Sequence, residues 1–160
     1  MKILGEKSLS SKVIIGLKIL FGIISLLTFL VLIIFFKYIK DVNSIFLFTV
    51  FLTGLTALYI TYKFIQIFIN LKNNVLFSET NVYYLNSISN SCFIISLLYL
   101  INTITILCLK IYLNYEYIYY ILFFSIIFMI VFVVSSIGFK ILNEIYKEAI
   151  NYKNENDLTI

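Results

Sequence analysis

Four stretches of this chain carry no charge over lengths that match the thickness of a lipid bilayer. Ile19 to Phe36 runs eighteen residues without Lys, Asp or Glu, Val42 to Tyr62 twenty-one, Thr80 to Leu109 thirty, and Tyr117 to Phe139 twenty-three. About twenty helical residues cross the roughly 30 Å of a hydrocarbon core. Lipid offers the backbone no hydrogen bonds, so a lone apolar run of this kind must close its own as a helix. One fold class fits: an all-α integral membrane bundle of four antiparallel transmembrane helices. The expected spans are about 13–36, 42–62, 92–109 and 117–139, in a single membrane domain covering 1–160.

Composition supports this. The chain has 160 residues, 62% of them hydrophobic and 12% charged, whereas roughly a quarter of a soluble domain is charged. All twelve basic residues are Lys, and Arg, Trp, Pro and His are missing while Ile, Asn, Tyr, Phe and Lys abound. Such a bias is what an AT-rich genome writes, and it points to the cytoplasmic membrane of a low-GC bacterium. The net charge of +4 does not indicate direct nucleic-acid binding, because the Lys residues sit singly at the ends of apolar runs.

The short basic start, with Lys2, Lys7 and Lys12 against Glu6, resembles that of a signal peptide. A signal-peptide core is only about 7–15 residues long and ends at small residues. Here the run is longer and ends Ile33-Ile34-Phe35-Phe36-Lys37, so a retained first span is expected. Lys37–Asp41 and Lys110–Glu116 are short polar turns, the second crowded with Tyr as at headgroup level. They set the first helix beside the second and the third beside the fourth.

The polar island 63–91 separates the two halves. Lys63, Gln66 and Asn70 alternate with Phe64, Ile67, Phe68 and Leu71, so the second span should continue as an amphipathic helical extension. Asn73-Asn74 suits a helix end, and Ser78 or Thr80 suits the next N-cap. Asn81, Asn86, Ser87, Asn90 and Ser91 look too polar for lipid and are expected at the interface. After Phe139, Ile141, Leu142 and Ile145 carry a helical stripe on, and from Asn151 the tail 140–160 is expected to fray. Nine Lys lie on the side of the termini and the island, against Lys37, Lys40 and Lys110 on the other. Short loops rich in Lys stay inside, so both termini and the island are expected in the cytoplasm.

Catalytic chemistry has little to work with. There is no His, so common zinc, haem and nucleophile–base arrangements are missing. Every carboxylate lies outside the expected spans. No enzyme activity, metal site or cofactor is expected. Cys92 and Cys108, sixteen residues apart, would be about 24 Å apart on one helix; they cannot bridge within it and are expected as buried thiols. Lys18 lies nearest the membrane and can snorkel to the surface. Thr49, Thr53, Ala57 and Thr61 share one helix face beside Gly54, which suits close packing more than a polar pathway. Mid-span Asn102 is expected to make an interhelical hydrogen bond rather than hold an ion. These features also leave open a small transporter, channel or immunity-type protein that acts within the bundle, and they are compatible with a homo-oligomer in the lipid bilayer.

Two short segments stand apart: Leu76-Phe77-Ser78-Glu79-Thr80-Asn81 with Leu85 and Ile88, and the tail Glu155-Asn156-Asp157-Leu158-Thr159-Ile160. With four spans, they resemble the bacterial membrane family catalogued as domain of unknown function 2975. Leu76 departs from the small residue or Pro expected before the Phe. The resemblance implies a regulatory partner, since members are often encoded beside a small Cro-type helix-turn-helix regulator. Phe77, Asn81, Leu85, Glu155, Asp157, Leu158 and Ile160 are therefore candidates for partner contact or for a structural motif, and Asn102 and Thr53 for polar contacts between helices.

Overall fold

The computed structural model describes the backbone of residues 9–37, 44–73, 75–112 and 118–158, and the side chains of 9–37, 44–73, 75–108 and 119–155. Most of both expected turns, Lys37–Asp41 and Lys110–Glu116, lies outside the described residues. Four helices account for nearly all of the rest: α1 Leu9–Lys37, α2 Ser44–Lys72, α3 Glu79–Tyr112 and α4 Ile118–Leu158. All four are long and apolar enough to cross a membrane. The chain is a multi-pass membrane protein.

Helices do not gain from hiding Leu and Ile from lipid tails, so association in a membrane rests on close packing and on polar groups that pair. The burial pattern obeys this. Leu26, Phe36, Phe123 and Val134 are more than 60% exposed, as suits contact with lipid. Several of the enclosed side chains are polar: Asn81, Asn102 and Ser125 are 2% exposed or less, and Ser89 and Ser136 are also buried. α3 is the centre of the bundle and buries far more of its apolar stretch than any other helix. It packs most extensively on α4, while α2 joins it to α1. α1 is peripheral, with Ser10, Ile14 and Thr28 as its buried residues.

At the α1–α2 seam, Thr28 lies against Gly54 and Phe35 against Phe48, the rings 5.8 Å apart. A Cβ at Gly54 would meet Thr28 Oγ1 at 2.6 Å, so only glycine permits this approach. The Thr hydroxyls of α2 return protons to their own helix: Thr49 to the Ile45 carbonyl at 3.0 Å, Thr53 to Thr49 at 2.8 Å and Thr61 to Ala57 at 2.8 Å. Bonded this way, Thr presents a methyl-sized surface to its neighbours. The small-residue stripe is therefore a seam that serves two neighbours, with Gly54 against α1 and Thr53 against α3.

Three features differ from the sequence-based expectation. Asn81, which the sequence presents as an exposed polar residue, is fully enclosed between helices, because it finds partners inside the bundle. The tail does not fray at Asn151: α4 is helical through Leu158, 41 residues in all, about 60 Å long. No Gly or Pro interrupts it after Gly138, and Lys147 pairs with Glu144 at 2.8 Å one turn away. Cys92 is buried as expected, but Cys108 is exposed.

Candidate functional site

The island between the two halves is mostly helix, and its residues 73 and 75–78 lie outside the helices and form the turn region. Ser78 is the N-cap: the Asn81 amide lies 3.3 Å from Ser78 Oγ and 3.0 Å from its carbonyl. Between the two candidate caps, Ser78 therefore starts α3, three residues before Asn81, as an N-cap should. On the other side of the turn, Val75 N–H donates to the Asn70 carbonyl at 2.9 Å. This bond closes the end of α2 in the manner of a helix C-cap.

Asn81 locks the turn. Its amide donates to the Leu76 carbonyl at 2.9 Å and the Val75 carbonyl at 3.3 Å. Its carbonyl oxygen accepts from Asn70 Nδ2 at 2.8 Å. One side chain thus ties the last turn of α2, the connecting backbone and the first turn of α3, and it is fully enclosed. Beneath it Leu85, Ile88 and Cys92 pack with Ile67 and Leu71, flanked by Phe64, Phe139 and Tyr146. Phe77 is 41% exposed and rests against Tyr146 of α4, ring centroids 6.0 Å apart.

The other candidates fall elsewhere. Glu155 is exposed near the end of α4. It lies nine residues beyond Tyr146, about 13 Å further along the helix, while Glu79 of the turn segment lines a pocket with Lys147 and Asn151 of α4. Asp157 and Leu158 belong to α4, but their side chains, like all of Ile160, lie outside the described residues. Asn102 donates to Ser125 Oγ of α4 at 3.0 Å, with both residues buried. Among the described residues its Oδ1 has no hydrogen-bond partner. Thr53 Oγ1 lies 3.3 Å from the Tyr99 hydroxyl. The Thr53 proton already serves the Thr49 carbonyl, which leaves Tyr99 to donate here.

Several residues that organise this region gave little warning in the sequence. Ser89 and Ser136 clamp α3 to α4 reciprocally, each hydroxyl donating to the other's carbonyl at 2.9 and 3.0 Å. Tyr99 stacks on Phe128 and Phe132 at 5.4 and 6.1 Å. The Lys63 ammonium sits over three rings, Tyr59, Tyr83 and Tyr84, at 4.8 to 5.2 Å. The cluster of Tyr about one Lys was the available signal for that cage; the Ser pair had none, since forty-seven residues separate its members.

Among the described residues no cluster of His, Cys, Asp or Glu could hold a metal ion. The model of one family, described as a protein of unknown function (DUF2975), matches residues 11–160. The chain belongs to the DUF2975 family. No curated protein and no solved structure matches it. Both the Asn81 turn and the α4 exit of this DUF2975 chain lie within the matched region, so what must be explained is a four-helix membrane protein with a locked turn at one end.

Proposed function

We propose that this DUF2975 protein is a non-enzymatic docking platform that holds a small helix-turn-helix DNA-binding regulator at the bacterial cytoplasmic membrane. In this reading the helices are antiparallel, and both termini and the 73–78 turn are cytoplasmic. Partner numbers support the arrangement. Along α1, Thr28 meets Gly54 and Phe35 meets Phe48; along α3, Ser89 meets Ser136 and Asn102 meets Ser125. In each pair one number rises as the other falls.

Contacts also bring Lys residues of different helices to one level. Lys18 lines a groove with Tyr62 and Gln66, Lys63 reaches Tyr83 and Tyr84, and Phe64 meets Phe139, the neighbour of Lys140, at 5.5 Å. A ring of Lys with aromatic neighbours is the usual mark of the membrane–water boundary. Drawn through it, the boundary starts the third span near Leu85 rather than Cys92.

One observation carries the docking role. Beyond that level α4 continues from Lys140 to Leu158, and Ile141 and Ile145 on it are 57% and 54% exposed. An apolar stripe outside the bilayer invites a partner. From Glu144 onward α4 and the tail carry four carboxylates against two Lys, which suits a basic partner. The full chain, a chain lacking Glu155–Ile160, and an Ile141→Ser/Ile145→Ser variant should be used to recover partners from native membranes. A regulator recovered by the full chain and lost with the double substitution is expected. No regulator with any of the three defeats the proposal.

The Oδ1 of buried Asn102, without a partner among the described residues, favours a second reading, a small transporter or channel acting within the bundle. Liposome flux that vanishes on Asn102→Leu would give it precedence.

A further inference from the structure

We propose that the groove between α1 and α2 at Lys18 binds the phosphate-bearing headgroup of an anionic phospholipid. It measures about 380 Å³ and is lined by Lys18, Phe21, Tyr62, Ile65, Gln66 and Ile69. Tyr62, Ile65, Gln66 and Ile69 share one face of α2, and Lys18 and Phe21 one face of α1, by their three- and four-residue spacing. Most of its exposed lining is apolar, and Lys18, Tyr62 and Gln66 are the lining residues that carry a cation, a hydroxyl and an amide. Among the described residues no carboxylate lines the groove.

Lys63, at the same level, is already held by three aromatic rings. Lys18 instead opens onto a groove with an apolar wall. Phe21, Ile65 and Ile69 offer nothing to a free anion, but they suit the glycerol esters and first methylenes of a lipid. Basic grooves between membrane helices on the cytoplasmic side are a recurrent solution for anionic headgroups. A Lys that merely snorkels would need neither the polar donors nor the wall. The inference rests on the boundary level proposed above, but not on which side of the membrane that level faces.

The test uses the full chain in phosphatidylcholine nanodiscs titrated with phosphatidylglycerol, with bound lipid read by native mass spectrometry. Phosphatidylglycerol should be retained about fivefold or more over phosphatidylcholine, the effect of one Lys near a headgroup. Lys18→Gln should abolish that preference, Lys18→Arg should keep it, and Lys12→Gln, outside the groove, should leave it unchanged. Excess inorganic phosphate should not displace the lipid. If Lys18→Gln loses helicity, Gln66→Leu takes its place and should weaken the preference. An unchanged preference in a folded Lys18→Gln or Gln66→Leu protein overturns the site, and full displacement by inorganic phosphate reassigns the groove to a free anion. Because both faces of a nanodisc are identical, the site can fail while the topology stands, and the reverse.

Discussion

Asn81 shows how much one buried amide can organise. It donates to two backbone carbonyls and accepts from Asn70, so Asn81→Leu strands several polar groups at once. Leaving a buried partner unsatisfied costs about 1–3 kcal/mol, and Asn81→Leu should destabilise by about 2–3 kcal/mol in thermal unfolding followed by circular dichroism in detergent. Asn70→Ala should cost less, and the double variant should fall short of the sum, because the two residues share a bond. Asn102 is a contrasting case. Among the described residues its Oδ1 accepts nothing, and Ser125 can turn its hydroxyl to its own helix. Asn102→Leu should therefore cost less than about 1 kcal/mol in the same measurement.

Among the elements, α1 depends on one close approach. Gly54→Ala places a methyl 2.6 Å from Thr28 Oγ1, and overpacking of this kind costs about 1–3 kcal/mol. Disulfide crosslinking between Cys residues introduced at Phe35 and Phe48 should weaken in Gly54→Ala and recover in part with Thr28→Ala. Equal crosslinking in all three proteins would mean the seam is not where α1 is held.

Hydropathy made the helices legible because lipid leaves the backbone one option, and the fourfold stripe through Thr53 made the α2 seam legible. The island was harder to read. Its polarity looked like exposure, but Asn81 is satisfied by Asn70, eleven residues away, and Ser89 by Ser136, forty-seven away. Such pairings exist only once helices have packed. The end of α4 misled for the opposite reason: Asn and Lys suggested fraying, while the helical spacing of Ile145, Ala149 and Ile150 carried the helix on. For the candidate site, the family resemblance singled out Phe77 and Asn81, but the lock that Asn81 forms could not be seen before its partners were placed.

For the whole molecule, the distribution of polarity is that of a membrane protein turned toward one end. The enclosed polar pairs lie between helices, the exposed apolar residues face outward, and the Lys-rich level is shared by α1, α2 and α4 through their contacts. The docking role proposed for α4 takes for granted which parts share the cytoplasmic side. Reporter fusions in a bacterial host measure this directly, with alkaline phosphatase reporting outside and a fluorescent protein reporting inside. Fusions within 73–78 and after Ile160 should report inside, and one at Lys40 outside. A fusion after Ile160 reporting outside, or one at Lys40 reporting inside, would contradict the four-span antiparallel bundle.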